Sequence, residues 1–206
     1  MEYLRTGSQG WHTWTIDEVR QYEAKHPLGT RARLAFALLL LTGVRRSDAV
    51  KLGRQMIRDG CLTFTQTKNQ KRNPITVSIP VLPELQAAID ATPSSNMTFL
   101  VTEFGKPFTA AGFRKWCNDA GLLHCSAHGL RKAGATIAAE NGATEHQLMA
   151  IFGWRTAKQA EHYTRAARRK LLASRAMHLL VADQTQNGID PPAMVVREGE
   201  SNMGGK

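Results

Sequence analysis

The chain has 206 residues, 42% of them hydrophobic, which is enough to bury the core of one domain. It carries 27 Lys and Arg residues against 17 Asp and Glu residues, a formal net charge of +10. Such an excess of positive charge is typical of proteins that bind polyanions. Nucleic acid is therefore the first candidate partner, and an anionic membrane surface or RNA is a weaker one with only the charge in its favour.

No segment has the length of a transmembrane helix. The strongest apolar run, LAFALLLL at 34–41, is far shorter than the roughly 20 residues that cross a bilayer, and it predicts a buried helix. The first residues lack the charged start and apolar stretch of a signal peptide. Cys61, Cys117 and Cys125 form no CxxC pair and no even set, which predicts reduced thiols in a cytoplasmic protein.

The first third of the chain predicts three helices and a hairpin. Thr15 and Glu18 form a capping box for a helix that ends before Pro27, and a second helix covers about 30–42. A short helical stretch around SDAVKL follows. The segments QMIRDGCLTFTQ and PITVSIP then predict two or three antiparallel strands, with a turn at Asp59-Gly60 and a basic loop, TKNQKRN, between them.

The rest of the chain predicts helices. One begins at Pro83 and ends near Ala91, and four more are expected near 109–121, 128–141, 144–152 and 156–180. The fold class is therefore mainly α with a small antiparallel β-sheet (α+β). From residue 182 the chain is polar and contains Pro191-Pro192, which predicts a flexible carboxy-terminal tail over 182–206.

Four short motifs carry residues suited to chemistry, and each alone is weak evidence. They are Arg45 in TGVRRSD, Lys68 in the hairpin loop TKNQKR, His128 with Arg131 in HGLR, and Trp154 of a Gly-Trp pair followed nine residues later by Tyr163. Taken singly, each motif is more often a solvated basic residue, a surface histidine or a packing aromatic. HGLR nevertheless places an imidazole and a guanidinium on one helical face.

Together, the order and spacing of these motifs resemble the catalytic domain of the tyrosine recombinases, the phage integrase family. The resemblance implies that residues 15–181 are a catalytic domain preceded by a segment, 1–14, in place of the family's amino-terminal core-binding domain. It also implies six catalytic residues: Arg45, Lys68, His128, Arg131, Trp154 and Tyr163. Arg46 remains an alternative to Arg45, and Lys71 and Arg72 remain alternatives to Lys68.

The chemistry of phosphodiester cleavage explains these residue types. Two guanidiniums stabilise the extra charge on the non-bridging oxygens, and a tyrosine hydroxyl needs a base such as His128 to become a nucleophile. Lys68 is suited to protonate the leaving oxygen. Asp48 is expected to orient Arg45. Because nine residues of one helix would separate Trp154 from Tyr163 by about 2.5 turns, a break at Gly153 is expected between them.

The resemblance implies a site-specific recombinase or integrase of a mobile genetic element that forms a covalent 3′-phosphotyrosyl intermediate. It implies double-stranded DNA as the partner, a homo-tetramer on that DNA, accessory directionality proteins, a cytoplasmic (nucleoid-associated) location and no cofactor. A type IB topoisomerase-like activity and a non-catalytic basic DNA-binding domain are the alternatives. We expect no metal site, because His124, Cys125, His128 and Cys117 show no standard zinc-ligand spacing.

Overall fold

The computed structural model describes residues 10–68, 73–92, 96–102, 104–106 and 108–180. Within these ranges the α-helices are α1 (Ile16–Lys25), α2 (Arg31–Leu41), α3 (Arg46–Ala49), α4 (Pro83–Ala91), α5 (Ala110–Asp119), α6 (Ala127–Glu140), α7 (Glu145–Phe152) and α8 (Ala157–Ala176). The strands are β1 (Ile57–Arg58), β2 (Cys61–Thr65) and β3 (Thr76–Pro80). The described residues fall in two units, residues 10–170 and residues 171–180.

Helix starts follow the capping residues in the sequence. Thr15 accepts the Glu18 amide while the Glu18 side chain accepts the Thr15 amide, so the predicted capping box is present. Thr144 and Gln147 form a second capping box at the start of α7. The Ser126 side chain caps α6 by accepting the Gly129 amide. These caps satisfy amide groups that have no partner within their own helix.

The three strands form one antiparallel sheet in the order β1-β2-β3. Asp59 and Gly60 both adopt positive φ angles, 50° and 71°, as a two-residue hairpin turn requires. Strands β2 and β3 alternate buried and exposed residues, so one face of the sheet packs on the protein and the other meets solvent. The predicted α+β architecture is confirmed.

Helix α2 is the centre of the first unit. Seven of its eleven residues are buried, and it packs against α4, α5 and α6. An aromatic cluster fills one side of this core: Trp14 packs on Tyr22 and Phe36, and Phe113 closes the group, with ring centroids 5.0–6.4 Å apart. The strongest apolar run of the sequence is therefore a buried helix, as predicted.

Residues 11–14, called the strap below, cross the amino-terminal half of α6. Lys132 donates to the Trp11 carbonyl at 2.7 Å, and the Trp14 indole donates to the Ser126 carbonyl at 3.0 Å. Where the strap passes Gly129, a Cβ would lie 2.0 Å from the His12 carbonyl oxygen. Glycine at 129 is therefore required for the strap to lie directly on the helix.

The described part of the second unit, residues 171–180, completes α8 and ends in a 3₁₀ turn, Met177–Leu180. Its large apolar side chains are exposed: Leu171, Leu172, Met177, Leu179 and Leu180. No helix in the described ranges is both long enough and apolar enough to cross a membrane. The flexible tail predicted over 182–206 lies outside the described residues.

Trp14 is expected to be a main determinant of stability, because it is 4% exposed and joins the strap to the aromatic cluster. Trp14→Ala should lower the free energy of unfolding by about 3–5 kcal/mol through loss of packing. Trp11→Ala is the matched control, since the Trp11 ring is 61% exposed, and it should change the free energy by less than about 0.5 kcal/mol. Urea unfolding followed by circular dichroism measures both, and equal effects would mean that Trp14 does not anchor the strap.

Candidate active site

Four of the six predicted site residues line one cleft of about 730 Å³: Arg45, Lys68, His128 and Arg131. Arg45 occupies the N-cap position of α3, shortly after the end of α2, and Lys68 follows the end of β2. His128 and Arg131 lie one turn apart on α6. Segments that are far apart in the sequence thus bring their cationic side chains to one place.

The lining of this cleft is basic. Arg46 and Arg114 add two more guanidiniums, and no Asp or Glu side chain is among the described lining residues. A concave surface with one sign of charge attracts and concentrates ligands of the opposite charge. The cleft is therefore suited to bind an anion such as a phosphodiester.

The two central arginines are joined through Gln66, a residue that no sequence motif indicates. Arg45 Nη1 donates to Gln66 Oε1 at 2.5 Å, and Gln66 Nε2 donates to the Phe152 carbonyl at 2.9 Å. Arg131 Nη2 donates to the same carbonyl at 2.8 Å. Because Gln66 is only 2% exposed, its amide is held in place and fixes both guanidiniums relative to each other.

Arg131 is 6% exposed and lies between two aromatic rings. Its guanidinium carbon is 5.1 Å from the Phe152 ring centroid and 6.0 Å from that of Trp154. Burial, with the neighbouring Arg45 charge, lowers the pKa of Arg131 to about 9, so the group stays protonated at neutral pH. Its Nη1 has no hydrogen-bond partner among the described residues.

The sequence predicts that Asp48 orients Arg45, but the structure gives that role to Gln66 instead. The Asp48 carboxylate is 2% exposed, and its Oδ1 accepts the Thr67 amide at 2.9 Å. This hydrogen bond therefore joins α3 to the segment after β2, at the residue that precedes Lys68. Its charge favours the protonated form of Arg131.

Trp154 and Tyr163 meet because the chain breaks between them, as the sequence predicts. Gly153 ends α7 in the left-handed conformation, with φ 59°, and α8 begins directly after Thr156. The Trp154 and Tyr163 rings then stack with centroids 5.3 Å apart and an interplanar angle of 12°. Thr164, buried beside Tyr163, donates to Glu145 at 2.6 Å and holds this turn of α8 on α7.

Tyr163 lines a second, smaller cavity of about 300 Å³ rather than the main cleft. Thr13, Lys132, Thr136 and Glu140 are among its other lining residues. Burial raises the pKa of the Tyr163 hydroxyl, and the Arg131 charge opposes that rise. The hydroxyl is therefore protonated at neutral pH. Arg131, which lines the main cleft, is near enough to Tyr163 for its charge to act on this hydroxyl.

His128 and Lys68 are exposed in the cleft. Partial burial and the charges of Arg131, Lys132 and Arg45 lower the pKa of His128, so its imidazole is neutral at neutral pH. Arg46, the alternative to Arg45, is exposed. Lys71 and Arg72, the alternatives to Lys68, lie outside the described residues.

Comparison with known protein families identifies the family of this chain. The model of the phage integrase family matches residues 15–170, which is more than half of the chain. The chain belongs to the phage integrase family. No curated protein sequence matches it.

Solved structures of tyrosine recombinases share the integrase fold of this chain at low sequence identity. XerH site-specific recombinase on palindromic difH DNA, in a post-cleavage complex, is 18% identical with a TM-score of 0.60, and the match covers 82% of this chain and 53% of XerH. The Tn1549 transposon integrase with transposon right-end DNA is 15% identical with a TM-score of 0.64, covering 82% and 69%.

Lambda integrase matches in two assemblies. A dimer bound to a COC′ core site is 20% identical with a TM-score of 0.61, covering 74% of this chain and 59% of that one. A tetramer bound to a Holliday junction is 18% identical with a TM-score of 0.56, covering 70% and 47%. This chain thus spans between about half and two thirds of the length of these relatives. The TM-scores, from 0.56 to 0.64, confirm the fold of a tyrosine recombinase catalytic domain.

Gly153 is a position where any side chain would disturb the candidate site. A Cβ there would lie 2.2 Å from Gln66 Nε2, and the φ of 59° disfavours any other residue. Gly153→Ala should lower the free energy of unfolding by about 1–2 kcal/mol for the backbone conformation. Displacement of Gln66 from its two hydrogen bonds should add at least about 1 kcal/mol.

Gly142→Ala is the matched control for this prediction. Gly142 also has a positive φ, 96°, but nothing lies within 4 Å of the position that a Cβ would occupy there. Chemical unfolding of both variants separates the backbone effect from the contact with Gln66. A loss for Gly153→Ala no larger than that for Gly142→Ala would show that Gln66 can move without penalty.

Proposed function

We propose that this chain cleaves and rejoins DNA strands at a specific recombination site through a covalent 3′-phosphotyrosyl intermediate. The observation that carries the proposal is the linked pair of guanidiniums, Arg45 and Arg131, with Tyr163 stacked through Trp154 against the buried one. An anion-binding pair beside a tyrosine is the arrangement that this reaction needs.

The two arginines act on the phosphate. Attack by an oxygen nucleophile places additional negative charge on the non-bridging oxygens, and donors fixed before the reaction stabilise that charge without reorganisation. Arg131 brings an Nη1 with no partner among the described residues, and Arg45 is held by Gln66. A bound phosphate satisfies the free donor of Arg131.

Tyr163 is the nucleophile in this proposal, and His128 assists it. Because the pKa of the Tyr163 hydroxyl is raised by burial, a base must take its proton during attack. His128 is neutral at neutral pH and is therefore able to accept a proton. His162 is exposed and lines the same cavity as Tyr163, but adjacent residues of a helix point about 100° apart and its ring is perpendicular to that of Tyr163, so it is the poorer candidate.

Lys68 is the general acid in this proposal. When the Tyr163 oxygen forms its bond to phosphorus, the bond from phosphorus to the 5′ oxygen breaks, and that oxygen takes a proton from the Lys68 ammonium. The 5′-hydroxyl released in this way attacks the phosphotyrosyl ester of a partner duplex and restores Tyr163. The ester conserves the bond energy, so the proposal includes no nucleotide cofactor.

The partners we propose are double-stranded DNA at a recombination site, further copies of this chain in a tetramer, and accessory proteins that set direction. The positive cleft supports DNA binding. The lambda integrase tetramer on a Holliday junction supports the assembly by similarity of fold. A role in a mobile genetic element and a cytoplasmic, nucleoid-associated location belong to the same proposal.

Tyr163→Phe should abolish the covalent DNA adduct while leaving DNA affinity nearly unchanged, because it removes only the nucleophilic oxygen. The measurement is denaturing gel electrophoresis after incubation with a nicked duplex that carries the chain's own attachment-site core. His162→Ala, which alters the exposed neighbour, is the control and should still form the adduct. An adduct formed by Tyr163→Phe would identify a different nucleophile.

Lys68→Ala should slow cleavage by about 10²–10⁴-fold, the usual contribution of a general acid. A substrate with sulfur in place of the bridging 5′ oxygen has a leaving group that needs no proton, so it should restore most of the rate. The same substrate should not restore the rate of Arg131→Ala, because Arg131 stabilises charge on the non-bridging phosphate oxygens and not on the leaving group.

Single-turnover cleavage rates on the two substrates measure this rescue. Lys71→Ala and Arg72→Ala are the matched controls within the same loop. If the sulfur-containing substrate restored the cleavage rate of one of these controls and not that of Lys68→Ala, the general acid would be the control residue.

A further inference from the structure

Four side chains with metal-binding atoms converge beside the strap, outside the set of residues assigned to DNA cleavage. The imidazoles of His12 and His124, the carboxylate of Glu18 and the thiol of Cys125 each offer one ligand atom, and these atoms all lie within 4.8 Å of one another. We propose that they form a structural zinc site.

Three separate segments of the chain supply these residues. His12 belongs to the strap, Glu18 to the first turn of α1, and His124 with Cys125 to the turn before α6. Glu18 is the centre of the group: its Oε2 is 2.8 Å from His12 Nε2, and its Oε1 is 2.5 Å from His124 Nε2. The two imidazole rings meet edge to face with centroids 4.7 Å apart.

The donor set has the chemistry of zinc. Two imidazole nitrogens, one thiolate and one carboxylate oxygen suit a borderline-soft ion, whereas calcium and magnesium prefer oxygen ligands alone. Tetrahedral zinc with these donors separates its ligand atoms by about 3.3–3.8 Å. The present separations run from 2.5 Å, between Glu18 and His124, to at most 4.8 Å, so binding would replace the Glu18–histidine hydrogen bonds and draw the more distant ligand atoms together.

The surroundings orient the ligands in advance. The Thr15 amide donates to Glu18 Oε2 at 2.7 Å as part of the capping box and so fixes the carboxylate. Cys125 is 3% exposed, which keeps its sulfur away from bulk water, and the exposed His12 and His124 leave a path for the ion. Four protein ligands complete the coordination shell, which is typical of structural rather than catalytic zinc.

The sequence predicts no metal site because His124 and Cys125 have no nearby partners at a zinc-ligand spacing. The partners that complete the group, His12 and Glu18, lie more than 100 residues earlier in the chain, and no local spacing links the two halves. An ion at this place would join the strap and α1 to the turn that leads into α6. It would therefore brace the helix that carries His128 and Arg131.

The test is zinc binding by the full chain after removal of metal with a chelator. Isothermal titration with zinc chloride should show one ion per chain, and His124→Ala and Cys125→Ser should each weaken the affinity by more than about 100-fold. His146→Ala and Cys61→Ser are the matched controls, an exposed histidine and a cysteine outside the group, and both should bind as the parent chain does.

Two further readouts do not depend on DNA cleavage. Cobalt(II) should give a thiolate charge-transfer band that is lost in Cys125→Ser. Added zinc should raise the unfolding temperature of the parent chain but not of Cys125→Ser, because only a ligand that binds the folded state stabilises it. Circular dichroism of each metal-free variant confirms that it is folded before the comparison.

Three outcomes would overturn the proposal. Zinc affinity equal in the parent chain and in the ligand variants would mean adventitious binding. Absence of the thiolate band would exclude Cys125. Loss of stability in His124→Ala that is the same with and without zinc, together with no zinc binding by the parent chain, would mean that the group is only an ion pair of Glu18 with two histidines. None of these results bears on Tyr163, so the two proposals fail separately.

Discussion

The arrangement of the candidate site depends on one buried charged group. Arg131 lies almost fully out of water, and a guanidinium in that position is costly unless strong acceptors surround it. The acceptor here is the carbonyl of Phe152, the last residue of α7, where carbonyls have no partner within the helix and the helix dipole is negative. The end of one helix therefore compensates the cation on another, and the turn after that end leads to Tyr163.

This arrangement explains why the site depends on residues that carry no reactive group. Gln66 uses both ends of its amide, accepting from Arg45 and donating to Phe152, so the hairpin and α7 hold the two guanidiniums at a fixed separation. Gly153 leaves the space that Gln66 needs and turns the chain toward α8. Trp154 fills the gap between Arg131 and Tyr163. Each of these residues fixes the position of a guanidinium or of the Tyr163 side chain.

Much of the fold could be predicted from the sequence because its signals are local. The capping box at Thr15, the Asp59-Gly60 turn and the left-handed Gly153 each determine the chain path within a few residues, and all three are present. The resemblance to tyrosine recombinases identified the family, and the structure places Arg45, Lys68, His128 and Arg131 around one cleft.

The features that the sequence does not reveal depend on contacts between distant segments. Gln66 looks like an ordinary polar residue at a strand end, and only the fold shows that it is buried between two arginines. The sequence favours Asp48 as the residue that orients Arg45, because the two are close in the chain. In the fold the Asp48 carboxylate accepts the Thr67 amide, and Gln66 contacts Arg45 instead. The placement of Tyr163 at a cavity beside the cleft also arises from how α8 lies on α7.

The strap has a mechanical consequence. It is fastened to α6 at Ser126 and Lys132 and lies without a gap on Gly129, so a force applied to the chain ahead of residue 10 would reach α6 through rigid contacts rather than through a loose loop. Withdrawal of the strap would break these contacts at the start of the helix that carries His128 and Arg131. The position of the helix that carries His128 and Arg131 thus depends on how the strap is held.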